Sequence, residues 1–253
     1  MQPVKQIVDE HPIISSYELL NKLKEQGEVR PLVNIRSKLP ALDRAIENFN
    51  DGELYAVSGP TKNGKTTLCQ TLTRNFAEQL YHSLWFSYEV TPRQFVHCFD
   101  ESDFPLFYLP DGLKARSMDW VEGKILQSLE QYNTRVVFID HLHYLFDLVQ
   151  RGNTSLTIGN VVRRLKGLAV ANKLVIFLLC HTTKPGGETD LSYISIRDSS
   201  FVAQEADSVF MIQRTGDNEG QLRVEFHRRT GCFQRTVNLT KHGKYFYQSD
   251  EEE

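Results

Sequence analysis

Residues 59–66 read Gly-Pro-Thr-Lys-Asn-Gly-Lys-Thr and satisfy every defined position of G-x-x-x-x-G-K-[ST]. The chemistry of that spacing is phosphate binding. Its glycines let the loop turn backbone N–H groups inward onto phosphate oxygens, and a following helix adds the positive end of its dipole. Lys65 brings a point charge to the β and γ phosphates, and the Thr66 hydroxyl can ligate Mg²⁺. The sequence therefore predicts a nucleotide contact formed by Gly59, Pro60, Thr61, Lys62, Asn63, Gly64, Lys65, Thr66 and Thr67, with ATP and Mg²⁺ as its ligands.

Phosphate binding alone does not hydrolyse anything. Residues 135–140, Arg-Val-Val-Phe-Ile-Asp, form an apolar run ending in a carboxylate. An aspartate at the carboxyl end of a parallel strand beside the phosphate loop can hold the metal through its water shell, so Asp140 joins Thr66 as a metal residue. Residues 84–89, Leu-Trp-Phe-Ser-Tyr-Glu, end in the same way, and Glu89 is the candidate for orienting the attacking water. The plainer reading of Glu89 is a solvated carboxylate at a strand end. A third apolar run, 175–180, ends at His181. His181 could sense the γ-phosphate, although a lone histidine is more often structural.

These side chains need elements to hold them. Strands are expected at 53–58, 83–87, 135–140, 174–179 and 208–213, with a short one at 105–109. Helices are expected at 65–80, from 91 to 98, at 119–132, and along the apolar spacing of Ile158, Val161, Val162, Leu165, Leu168 and Ala169. Continuous apolar strands alternating with helices imply an α/β fold with a mostly parallel sheet covered on both faces. Segments 222–226, 235–239 and 245–247, broken by glycines, read as a C-terminal antiparallel meander. Ahead of the first strand, Ser15 and Glu18 have capping-box spacing, which predicts a helix over 15–26 followed by an extended link through Pro31 and Pro40. The short apolar stripe of that helix must pack on something, either its own core or a neighbouring subunit.

Composition narrows the classes. The 253 residues carry 29 Lys+Arg against 32 Asp+Glu, so any nucleic-acid contact must come from a local patch rather than from bulk charge. A 40% hydrophobic content excludes a disordered chain, and no apolar run is long enough for a membrane helix. The mixed-charge N-terminus reads as neither a secretory signal nor a transit peptide. Four dispersed cysteines argue against a zinc site or a disulfide framework and point to a reducing, cytoplasmic setting.

The ordered set of phosphate loop, strand-end Glu89, strand-end Asp140 and strand-end His181 resembles the RecA-like P-loop NTPase core, and within it the replicative hexameric helicases of the DnaB type. Leu39-Pro40-Ala41-Leu42-Asp43 and Asp51-Gly52-Glu53-Leu54 look like that family's lead-in to its phosphate loop (Walker A). Phe86-Ser87-Tyr88-Glu89-Val90 is similar to its Ser-Leu-Glu-Met element, and Phe138-Ile139-Asp140-His141-Leu142 to its Walker B segment. Asp190-Leu191, Ile196-Arg197-Asp198-Ser199-Ser200 and Gln204-Glu205-Ala206-Asp207 resemble the family's channel loop and its sequel. The resemblance implies DNA-backbone contacts by Arg197, Asp198 and Ser199, a mode that follows phosphates without reading bases. His227-Arg228-Arg229-Thr230-Gly231 resembles the Lys-x-Arg-Asn-Gly element that carries an arginine finger. Arg229 is the better match by spacing, and a neighbouring register makes it Arg228.

The likeness spans about residues 39–247. It implies a linker at 1–38 with a subunit-docking helix, an ATPase domain at 39–247 and an acidic tail at 248–253. The implied protein is a magnesium-dependent hydrolase and helicase of DNA replication, a homo-oligomer, hexameric in the family, that moves on single-stranded DNA with other replication proteins as possible partners. The alternatives are a RecA-like DNA-binding ATPase without unwinding activity and an ATP-gated regulatory switch. Three positions depart from the family pattern: His227 stands for its Lys, His181 for a Gln that some phage relatives also replace by His, and Ser200 for a Gly.

Overall fold

The computed structural model describes residues 13–113, 117–145, 154–182 and 199–249. The chain divides into two compact units, Met1–Leu32 and Val33–Glu253. In the first, helix α1 (Ser16–Glu25) starts at a complete capping box: Ser15 N–H donates to Glu18 Oε2 at 2.7 Å, and Glu18 N–H donates to Ser15 Oγ at 3.2 Å. Tyr17, Leu19 and Leu20 on this helix are exposed.

The second unit begins at Val33, and between Val33 and Pro40 the stretch expected as an extended link packs into the core. Val33, Ile35, Ser37 and Leu39 alternate buried positions with exposed ones. Strand β1 (Asn34–Ile35) pairs antiparallel with β2 (Phe49–Asn50), and between them Pro40 occupies the first turn of helix α2 (Pro40–Ile46), where its missing N–H costs no hydrogen bond. The alternation and the proline were both present in the sequence.

The remaining strands are β3 (Leu54–Ser58), β4 (Ser83–Ser87), β5 (Phe107–Tyr108), β6 (Val136–Asp140), β7 (Val175–Leu179), β8 (Ser208–Arg214), β9 (Glu219–His227), β10 (Cys232–His242) and β11 (Tyr245–Gln248). Among the described residues they form one nine-stranded sheet in the order β11-β10-β9-β8-β3-β7-β6-β4-β5. From β8 to β5 all neighbours are parallel, and β9, β10 and β11 extend the sheet antiparallel. The fold class read from the sequence is thus the one observed.

Alternation along the central strands divides the core in two. Tyr55, Val57, Trp85, Phe138 and Phe177 face one layer, with α2, helix α3 (Lys65–Ala77), helix α4 (Pro92–Val96) and the meander. Leu54, Ala56, Phe86, Ile139 and Leu178 face the other, with helices α5 (Met118–Tyr132), α6 (Thr154–Asn172) and α7 (Ser199–Glu205). Each large apolar side chain so buried is worth roughly 1.5–3 kcal/mol. Burying both faces is what holds the carboxyl ends of β3, β6 and β4 side by side. Cys69, Cys98, Cys180 and Cys232 are free thiols. Among the described residues no helix is long and apolar enough to cross a membrane.

Candidate nucleotide site

The phosphate loop leaves the end of β3 and enters α3. Its two glycines are required by different neighbours. Gly59 sits at φ +147°, and a Cβ there would lie 2.1 Å from the Ile212 carbonyl oxygen on β8. Gly64 sits at φ +96°, and its Cβ would press on the Phe246 ring of β11 at 2.9 Å. Lys65 Nζ donates to the carbonyls of Gly59 at 2.8 Å and Pro60 at 2.9 Å, which holds the ammonium over the loop. Burial lowers the Lys65 pKa, and the charges of Asp140 and Glu89 oppose that shift.

Strand β6 ends on Asp140, and the Thr66 hydroxyl donates to its Oδ2 at 2.9 Å. The phosphate-loop threonine and the strand-end aspartate, 74 residues apart, therefore meet as the sequence predicts. Asp140 is buried, and burial pushes its pKa up to about 6. The Thr66 bond opposes the shift, the Glu89 charge adds to it and the Lys65 charge opposes it. A buried carboxylate held in its charged form by so little help is suited to a cation.

A second observation agrees. Ser87 pairs in register with Asp140 across β4 and β6, so both side chains face the α3 layer. Ser87 is buried and its Oγ has no hydrogen-bond partner. An orphaned hydroxyl beside a buried carboxylate fits the water shell of a divalent ion. The sequence reading gives Ser87 no role of its own, although it falls on the serine of the Ser-Leu-Glu-Met resemblance, two residues before Glu89. The residues present thus fit Mg²⁺ held by Thr66 and Asp140, with Ser87 beside them.

Glu89 and His181 open onto the same cavity, of about 450 Å³, together with residues 61–67 and Asp140. Glu89 is half-exposed, as a residue that meets solvent water must be. His181 is not isolated: its Nε2 lies 3.2 Å from His141 Nδ1, and that nitrogen is 3.9 Å from Glu89 Oε2. His141 follows Asp140 through a cis peptide bond. The far wall, also missed, comes from the meander: Arg214, residues 217–219, Lys241 and Phe246 face Gln70 and the loop. It is tied down by the Arg214 N–H, which donates to Asn63 Oδ1 at 2.8 Å. A contact spanning 151 positions leaves no local trace in the sequence.

Arg228 and Arg229 stand elsewhere. They follow β9, whose end residue His227 pairs with Ser208 at the start of β8, and Ser208 in turn pairs with Tyr55 near the start of β3. The phosphate loop leaves β3 at its other end, so neither arginine can serve its own chain's site. Arg229 Nε donates to Glu53 Oε1 at 2.7 Å, and its Nη2 donates to the carbonyls of Ile46 at 2.7 Å and Asn48 at 2.9 Å. Arg228 Nη2 donates to the carbonyls of Ala203, at 3.4 Å, and Gln204, at the end of α7. Arg197 and Asp198 lie outside the described residues. Ser199 is the first residue of α7, and its side chain lies outside them too.

No family model matches the sequence. Solved structures do match the fold. The ATPase domain of G40P aligns with a TM-score of 0.78 over 93% of this chain and 99% of its own, at 17% identity. A DnaB-like replicative helicase, described together with its interactions with primase, aligns with a TM-score of 0.77 over 92% of this chain and 68% of its own, also at 17% identity. The chain therefore has the RecA-like fold of DnaB-like helicase ATPase domains, as the motif order suggested.

Proposed function

We propose that the protein is an ATP-driven motor of the DnaB type, acting on single-stranded DNA as a ring. The observation that carries the reading is the meeting of Thr66, Asp140 and Glu89 at one cavity mouth beside the Lys65 loop. That set has the parts of NTP hydrolysis: a phosphate cradle, a charge for the γ-phosphate, a metal position and a carboxylate open to water. Thr66 and Asp140 would hold Mg²⁺, which neutralises charge on the β and γ phosphates when bound. The backbone of residues 59–64 receives the phosphates, Lys65 turns from its loop carbonyls to the γ-phosphate, and Glu89 orients the attacking water. His181, at the third strand end, reports the state of the γ-phosphate to the segment that follows it.

Neither Arg228 nor Arg229 reaches its own chain's site, and a neighbour's Arg228 or Arg229 completes it in a ring. Detachment favours Arg228. Freeing Arg229 strips a buried carboxylate and two carbonyls of a donor, whereas freeing Arg228 releases only the exposed end of α7. The exposed stripe of α1 docks on the next subunit, and Arg197, Asp198 and Ser199 follow the DNA backbone. Because α7 carries Ser199 at one end and the Arg228 contact at the other, pulling Arg228 toward a neighbour's nucleotide loosens the helix behind the DNA loop.

Unwinding of a forked duplex tests the proposal. ATP-dependent strand displacement by the wild type, absent in Glu89→Gln, supports a motor. Single-strand-stimulated hydrolysis without displacement assigns the chain to DNA-binding ATPases that do not unwind.

A further inference from the structure

Around Asp140, which would also serve Mg²⁺, the structure assembles a donor set richer in nitrogen than magnesium takes. One donor atom each from Glu89, Asp140 and His141 lies within 4.8 Å of the others. His181 adds a second imidazole, its Nε2 3.2 Å from His141 Nδ1. The four come from the ends of three neighbouring strands. Asp140 is buried, and the His141 side chain is 12% exposed. Magnesium takes oxygen donors in an octahedral shell, whereas mixed imidazole and carboxylate donors suit borderline ions such as Zn²⁺, Co²⁺ and Ni²⁺. Tetrahedral coordination at zinc bond lengths puts donor atoms about 3.4 Å apart. The 3.9 Å from His141 Nδ1 to Glu89 Oε2 and the 3.2 Å to His181 Nε2 bracket that spacing, and Asp140 offers an oxygen within 4.8 Å of the Glu89 and His141 donors, so small side-chain rotations bring the set to ligand spacing. Two carboxylates offset the nearby Lys65 charge.

We propose that the nucleotide-free protein binds one borderline divalent cation through His141, Glu89 and Asp140, with His181 as fourth ligand, and that this ion holds the site inactive. Glu89 is the carboxylate that must meet water. Once it is a ligand it no longer orients the nucleophile, so Zn²⁺ at micromolar levels stops turnover in the presence of excess Mg²⁺. The inhibition rests on the hydrolytic reading of the site, but the binding does not.

Titration of the nucleotide-free full chain with Co²⁺, followed by visible absorption, reads the binding directly, because imidazole ligation in a tetrahedral site gives intense d–d bands. The expected result is saturation at one equivalent. His141→Ala weakens binding by roughly tenfold or more and Glu89→Gln, a half-exposed position tolerant of change, also weakens it. Lys65→Ala retains the bands although it cannot hold ATP phosphates, which separates failure of this proposal from failure of the nucleotide reading. Absence of bands in the wild type overturns the proposal. Unchanged bands in both His141→Ala and Glu89→Gln, with wild-type circular dichroism, overturn it equally.

Discussion

Glu89 is half-exposed and, among the described residues, makes no hydrogen bond that holds an element in place, so its substitution separates chemistry from folding. Glu89→Gln is expected to keep ATP binding and thermal stability while lowering turnover by about 10²–10⁴-fold, the range for loss of a positioned base. Equilibrium binding of a fluorescent ATP analogue beside single-turnover hydrolysis checks both halves, and equal loss of binding and turnover would make Glu89 a binding residue instead. The two arginines divide in the opposite sense. Arg229→Ala leaves the buried Glu53 carboxylate short of a donor and is expected to cost about 1–3 kcal/mol of stability, seen as a lowered Tm. Arg228→Ala removes only contacts to the end of α7 and is expected to leave Tm unchanged while abolishing turnover in the assembled ring. A mixture of Arg228→Ala with Lys65→Ala should then recover part of the activity that neither variant shows alone.

The elements carry the next predictions. Gly59 holds the loop against β8, and Gly59→Ala drives a Cβ into the Ile212 carbonyl, so nucleotide binding is expected to be lost even if the sheet survives. At the other end of β3, Glu53 is buried, which alone would raise its pKa. The neighbouring His227 ring, the Arg229 guanidinium, the Tyr55 hydroxyl and the Asn50 N–H outweigh burial and hold it at about 2, below its ordinary 4.5. The native chain thus keeps Glu53 ionised where the unfolded chain takes up a proton. The contribution, of order 3 kcal/mol, is present above pH 4.5 and is lost as pH falls toward 2. Denaturant unfolding across pH 2–5 should show that slope, reduced in Glu53→Gln. Much of this scaffold was legible in the residues. The apolar runs before Asp140 and Glu89 gave β6 and β4, and the glycine spacing gave the loop. The stretch through Pro31 and Pro40 reads as a link because β1, the strand inside it, is only two residues long. Ser87 was passed over because nothing in a sequence shows that a hydroxyl is buried without a partner, and the meander's wall escaped because its contacts cross most of the chain.

At the scale of the whole molecule the account needs more than one copy, since Arg228 and Arg229 stand at the wrong end of the sheet for their own chain's nucleotide. Tyr17→Glu with Leu20→Glu on the exposed side of α1 should shift sedimentation from a ring to smaller species without changing the helix content of either unit. A ring as stable as wild type would free α1 of that role. The central claim is that nucleotide turnover is coupled to single-stranded DNA, and its most direct measure is ATP hydrolysis with and without single-stranded DNA at ring-forming concentrations, for the wild type and Arg197→Ala. The account expects strong stimulation in the wild type, lost in Arg197→Ala with basal turnover intact. Turnover indifferent to DNA in the wild type would contradict it and leave a nucleotide switch in its place.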